Sequence, residues 1–328
     1  MPSITSADVA RESGVSRTTV SYVLNETSGV SISEDTRARV RAAAERLGYT
    51  PSPAARALRT GRSDLVLCVL PDWPLGPAID VLLDHLADEL AGRGLTLLVH
   101  HQRASQPLAD LWRTVVPRAV VGLTAFTADQ RESMQRAGVQ VLGTMLDEGP
   151  GGTGAFAVSQ VRVGRLQVQH LHDRGHRRIG YAAPEDLRVT DFFRRRLAGV
   201  RQRCAELGLP EPVVQPVGLD VASAGRAVRR WRAATPSVQA VAAYNDEVAV
   251  AVLAGARALG VTVPADLAVI GVDDIPAARL AVPALTTVSQ SLATQARYLG
   301  AAVLADLAGE PAPAVPEDVL EVVVRDST

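Results

Sequence analysis

Apolar residues recur with two different periods along this chain. In the first fifty positions they return every three or four residues: Val9 and Ala10, then Val20 and Val23, then Val40, Ala43, Ala44 and Leu47. That spacing places them on one face of each of three short helices. The polar punctuation agrees. Thr5-Ser6-Ala7-Asp8 reads as a helix start, with Asp8 reaching back toward Thr5. That helix runs to Ser13, and Gly14 supplies the turn because positive φ costs it little. Ser16 caps a second helix through about Leu24, and Ser33 caps a third. Ala10, Gly14, Val20 and Val23 have the spacing of a helix-turn-helix, in which small residues permit a close crossing. Arg17, Thr18, Ser21 and Tyr22 are left on the outer side of the second helix, where a recognition helix meets base edges. The alternative is a plain three-helix bundle with exposed polar residues.

After residue 50 the pattern changes. Tyr49-Thr50-Pro51-Ser52-Pro53 is an extended break. Ala54–Arg62 reads as an Ala/Arg helix too short to be stable alone, so it needs a partner helix or a binding surface. From Leu65 onward short apolar runs alternate with helical stretches. Leu65–Leu70, Leu95–His100, Ala119–Leu123, Val139–Met145, Ile179–Ala183, Val213–Val217, Ala240–Tyr244 and Leu267–Val272 read as buried strands. Helices are expected at about Ala78–Arg93, Phe192–Leu207 and Glu247–Leu259. The alternation means α/β architecture, parallel sheets with helices on both faces. The stretch 63–328 is too long for one such sheet, so two lobes are expected, with a ligand between them outside the carboxyl ends of strands. This pattern does not separate binding from catalysis.

Composition narrows the classes. Apolar residues are 47% and charged residues 21%, which excludes a disordered chain. No run of about 18 apolar residues exists, so no membrane span is expected. The start, Met1-Pro2-Ser3-Ile4-Thr5-Ser6, lacks a basic segment leading into an apolar one and does not read as a secretory signal. Two cysteines, Cys68 and Cys204, are too few for a disulfide framework and fit a reducing cytoplasm. The net charge of −1 hides an asymmetry: residues 1–62 carry nine arginines against six carboxylates. A basic head on an acidic body suggests phosphate contact by the head, although chance fluctuation produces the same asymmetry.

The residues Asp8-Val9-Ala10, Gly14-Val15-Ser16, Thr19-Val20-Ser21, Val23-Leu24-Asn25, Glu34-Asp35-Thr36-Arg37, Leu47-Gly48-Tyr49 and Ala55-Arg56-Ala57-Leu58-Arg59 together resemble the LacI/GalR family of bacterial transcription regulators. The likeness continues through Arg195-Arg196-Leu197-Ala198-Gly199, Asn245-Asp246, Val269–Asp274, Leu285–Val288 and Val323–Thr328. The resemblance implies a helix-turn-helix domain at 1–50, a hinge helix and linker at 51–62, and a two-lobed periplasmic-binding-protein-like body at 63–328. Its first lobe would comprise about 63–159 and 291–318, its second about 160–290 and 319–328. It implies a homodimer on a near-palindromic double-stranded DNA operator. Arg17, Thr18 and Tyr22 match base-reading positions, and Thr5, Ser16 and Asn25 phosphate contacts. Leu58 matches a leucine that wedges into the minor groove at the operator centre. Tyr22 stands where an arginine is common, and the loop Glu26–Ile32 is about two residues longer than in the shortest members.

For the effector, a sugar or related metabolite, the resemblance points to Arg196, Asn245 and Asp273, with Asp147 and Gln290 beside them. Asn245 equally suits a helix cap, and Asp273-Asp274 equally suits bracing of the lobes. The aromatics that sugar-binding members place after the first strand are replaced by Pro77 and Ala78, and one in the second lobe by Asp220. Trp73 and Phe192 could substitute from other positions. Asp220 favours a cationic or donor-rich ligand, Arg194, Arg195 and Arg196 favour an anion, and a body that binds no small molecule is the third alternative. His172 and His176 are four apart with His170 nearby, yet no third metal ligand of suitable spacing follows, and no cofactor is expected. No nucleotide loop or nucleophile elbow appears. The leading reading is therefore a ligand-responsive regulator, most often a repressor in this family, and not an enzyme. A solute-binding protein of the same shape and a cleft enzyme are the competing readings.

Overall fold

The computed structural model describes residues 4–25, 29–50, 63–102, 108–123, 126–142, 158–317 and 319–328. Two compact units make up the chain, Met1–Asp64 with Thr114–Arg118, and Leu65–Arg113 with Ala119–Thr328.

The described part of the head is three helices, α1 (Ser6–Ser13), α2 (Arg17–Leu24) and α3 (Glu34–Leu47). Their starts follow the expected chemistry. The Asp8 carboxylate accepts from the Thr5 backbone N–H at 3.0 Å and from its hydroxyl at 2.7 Å. The Ser16 hydroxyl accepts from Thr19 N at 3.1 Å. Gly14 ends α1 at φ +68°, where a side chain would strain the turn. Val9, Ala10, Val20, Val23, Val40, Ala43 and Ala44 form one buried core, which is why three helices of this length hold together.

In the body, β1 (Leu65–Leu70), β2 (Thr96–His101), β3 (Ala119–Gly122) and β4 (Gln140–Leu142) form a sheet in the order β2-β1-β3-β4, every pair parallel. Helices α4 (Pro77–Ala91), α5 (Leu108–Val115) and α6 (Ala128–Arg136) connect them. The unbroken apolar run of β1 has a physical cause, since both faces are covered. Val66, Cys68 and Leu70 join the core with Leu82 and Leu86 of α4, while Leu67 and Val69 join Trp112, Val120 and Met134.

The second sheet contains β5 (Ile179–Pro184), β6 (Val213–Val217), β7 (Ala240–Ala243), β8 (Ala268–Val272), β9 (Thr286–Ser289) and β10 (Glu321–Val323). Its order is β10-β9-β8-β7-β5-β6, parallel except for β10 against β9. Helices α7 (Gln160–Asp173), α8 (Thr190–Glu206), α9 (Val221–Ala233), α10 (Asp246–Ala258) and the short α11 (Pro276–Leu280) accompany it. A long helix α12 (Leu292–Ala308) follows β9 but packs on the first sheet, its Ala296, Leu299 and Val303 sharing a core with Leu82 and Leu86. The chain thus passes from one lobe to the other after β4, after β9 and before β10.

The expected strands and the other expected helices are present with ends shifted by one or two residues; the expected hinge helix Ala54–Arg62, and the part of Val139–Met145 beyond residue 142, lie outside the described residues. Strands β9 and β10 were not predicted. β9 carries two fully buried threonines, so its polarity conceals its place inside a sheet.

Candidate functional site

Two groups of polar side chains stand apart from the cores. The first lies on the head. Arg17 and Thr18 are exposed on the first turn of α2, and Thr5 and Ser16 are exposed at the two helix starts. Tyr22 is half-buried one turn further along. Asn25 closes α2, and its amide donates to the Ser21 carbonyl at 2.7 Å. Local capping fixes the direction of α2, so the residues at its start project from a set backbone. Leu58, expected in the hinge helix, lies outside the described residues, as does Asp147 of the expected effector set.

The second group surrounds a cavity of about 420 Å³ within the body, to which both lobes contribute residues. Arg196, Asn245, Asp273 and Gln290 all line it. Three of them belong to a closed polar circuit completed by Gln160, a residue without a signal in the sequence. Arg196 Nε donates to Gln160 Oε1 at 2.8 Å, Gln160 Nε2 to Gln290 Oε1 at 3.0 Å, and Gln290 Nε2 to Asp273 Oδ1 at 2.6 Å. Arg196 Nη2 returns to that Asp273 oxygen at 3.6 Å, with the two side chains only 5% and 8% exposed. Arg196 Nη1 also donates to the Tyr244 carbonyl at 2.5 Å, and its guanidinium lies 4.8 Å from the Tyr244 ring centroid. A buried charge of this kind persists only when paired and fully hydrogen-bonded.

Backbone geometry supports the same place. Asp273 and Asp274 both have positive φ, +107° and +51°, which aspartate tolerates better than most residues. They divide the two roles left open by the sequence. Asp273 joins the cavity circuit. Asp274 pairs with Arg325 and with Arg279, the latter at 3.4 Å, and so braces the loop onto the C-terminal segment. Asn245 does two things at once. Its Oδ1 caps α10 by accepting from Val248 N at 3.0 Å, and its Nδ2 lies 3.4 Å from Glu247 at the cavity.

Trp73, from the loop after β1, and Phe192, from α8, meet edge-on with centroids 4.8 Å apart and line the cavity. Asp220 does not line it; its carboxylate caps α9 through Ser223 N at 2.8 Å. Arg194 and Arg195 are likewise absent from the described lining. Tyr244, Glu185 and Glu247 do line it and were not singled out by the sequence. Burial pushes the Tyr244 phenol up to about 12, against the pull of Arg196.

Sequence comparison adds a lineage. Residues 5–52 match the model of bacterial regulatory proteins of the lacI family, and residues 168–328 match a periplasmic binding protein-like domain. The chain is 32% identical to the HTH-type transcriptional regulator GntR of Pseudomonas aeruginosa, covering 98% of this chain and 94% of that protein. This chain belongs to the lacI family. Another lacI-type relative, the ribose operon repressor of Escherichia coli, is 32% identical over 87% of this chain and 88% of its own length. A crystal structure of the lac repressor dimer bound to operator and the anti-inducer ONPF has the same fold, with TM-score 0.78, 22% identity and 99% of both chains covered. As a lacI-family member the chain is a DNA-binding transcriptional regulator of helix-turn-helix type. Among its described residues no helix is long and apolar enough to cross a membrane.

Proposed function

We propose that this regulator binds a palindromic operator as a homodimer inside the cell, reads it with α2, and changes operator affinity when a small molecule occupies the cavity of the body. The supporting observation is the cavity itself, which draws residues from both lobes in a chain that also carries a helix-turn-helix. Domains 1–50, 51–62 and 63–328 divide these tasks. Arg17, Thr18 and Tyr22 contact bases; Thr5, Ser16 and Asn25 contact phosphates; Leu58 enters the minor groove. Arg196, Asn245, Asp273, Gln290 and Asp147 respond to the effector. The circuit through Gln160 couples them, because a ligand that displaces one partner obliges the others to rearrange. Such coupling is reciprocal, so operator DNA alters effector affinity by the same factor. The cleft binds its ligand without transforming it.

The test is selection of genomic DNA fragments on the purified full chain at physiological salt. Enrichment of one palindrome, with release from it by a metabolite extract, is the expected result. No enrichment with or without extract overturns the DNA-reading assignment. Arg17→Ala should relax preference at one base position per half-site, a discrimination worth about 1–3 kcal/mol for a bidentate arginine–guanine contact. Leu58→Ala should weaken specific binding and spare weak, salt-sensitive nonspecific binding.

A further inference from the structure

The lining of the cavity is unevenly charged. Glu185, Asp186, Glu247 and Asp273 border it, against the single guanidinium of Arg196 among the described residues. Arg196 is already committed, through Nε to Gln160, through Nη1 to the Tyr244 carbonyl and through Nη2 toward Asp273. Asp186 is committed as well, held by Arg188 through Nε at 3.0 Å and Nη2 at 2.6 Å. Glu185 and Glu247 remain. Glu185 accepts from the Ser223 hydroxyl at 3.1 Å and Glu247 from Asn245 Nδ2 at 3.4 Å, and neither is paired with a cation among the described residues. Glu247 also reaches the opposite lobe, where its carboxylate borders Gly76 at the start of α4. The charges of Asp273, Asp186 and Glu247 all push the Tyr244 phenol upward, and Tyr244 lines the same cavity. Trp73 and Phe192 supply aromatic surface beside them.

Glu247 is half-buried and Glu185 exposed, so a ligand that fills this space displaces water from Glu247 above all. Desolvating carboxylates without a counter-charge is costly. A neutral polyol supplies donors but no charge, and an anion adds repulsion. An ammonium supplies three donors and the missing charge, and aromatic faces favour a cation.

We propose that the effector of this regulator is a cationic ring compound, an amine such as an amino sugar or an arylalkyl amine, with its ammonium at Glu247 and Glu185. This rests on the reading of the cavity as the effector site. The probes are two matched trios titrated into the full chain by calorimetry and ligand-observed NMR: glucosamine, glucose and glucuronate; benzylamine, benzyl alcohol and benzoate. In at least one trio the amine should bind at least about tenfold tighter than its neutral counterpart, which is about 1.4 kcal/mol, and the acid should bind weakest. Glu247→Gln and Glu185→Gln should each reduce that preference. The proposal is overturned if the neutral or acidic member equals the amine in both trios, if both variants keep the full preference, or if neither amine binds. The genomic selection separates the two failures. An enriched palindrome that a metabolite extract releases, alongside no amine preference, removes the cationic ligand and leaves the regulator standing.

Discussion

The head and the cleft solve the same problem, holding polar side chains in place, at opposite ranges. On the head the bonds of the candidate contact residues are local. Ser16 meets Thr19, three residues on, and Asn25 meets Ser21, four residues back. In the cleft Arg196 meets Gln160 across 36 residues, and Gln160 meets Gln290 across 130. The contrast extends to two aspartates in the first turns of helices. Asp8 of α1 stays at the surface, and hydrogen bonds from Thr5, side chain first and then backbone, hold its carboxyl below the usual range. Asp246 of α10 is fully buried, and desolvation pushes its carboxyl up to about 8 even though Thr287 and Ile275 N hydrogen-bond to it. Position in a helix therefore does not set an acid's behaviour; burial, hydrogen bonds and neighbouring charge do. The head keeps its functional groups solvated and available to an external polyanion. In the cleft Arg196, Gln160, Gln290 and Asp273 are spent on one another, so a ligand that meets any of these four has to compete with an existing network.

That comparison can be broken most severely at Arg196. Arg196→Leu leaves Asp273 and Gln160 buried without their partner, and should cost the body about 3–5 kcal/mol in denaturant unfolding. A loss below about 1 kcal/mol, the range of a solvated surface ion pair, would mean that the circuit is not structural. Gly199→Ala follows. A Cβ there would overlap the Val161 carbonyl where α7 and α8 cross, so a stability loss of about 1–3 kcal/mol is expected from overpacking. Asp246 gives a pH signature next. Its folded pKa is raised, so its contribution is full below the unfolded value near 3.8 and is lost as pH rises toward about 8. Body stability should fall with pH across that window, by up to about 1.4 kcal/mol per unit, and Asp246→Asn should flatten the slope. An unchanged slope in that variant would assign the pH dependence to other groups. Ser16→Ala is the mildest, removing one cap at a cost of about 1 kcal/mol, read as faster amide exchange at the start of α2 and nowhere in the body.

Much of this was readable in advance. The capping serines, the glycine turn and the valine spacing of the head are local signals, and the helices they specify are present. Apolar runs such as Leu65–Leu70 announced buried parallel strands. Resemblance brought Arg196, Asn245, Asp273 and Gln290 to one cavity. It left out Gln160, whose only local feature is its place after the Ser159 cap, and Tyr244, which directly follows an otherwise ordinary apolar strand. It also placed Asp220 among the ligand candidates, where the structure shows a helix cap.

What the sequence determined by itself is whatever depends on neighbours within a turn or a strand: helix starts and stops, the faces that are buried, the alternation of strand and helix, and the family signature carried by contiguous residues. The tertiary structure alone decided which polar residues close a circuit, which carboxylates border the cavity without a counter-charge, and which aromatic rings meet across the lobes. The physical reason is separation. Gln160 and Gln290 come together only after the chain has crossed between lobes and folded its second sheet, and no local pattern encodes a hydrogen bond across 130 residues.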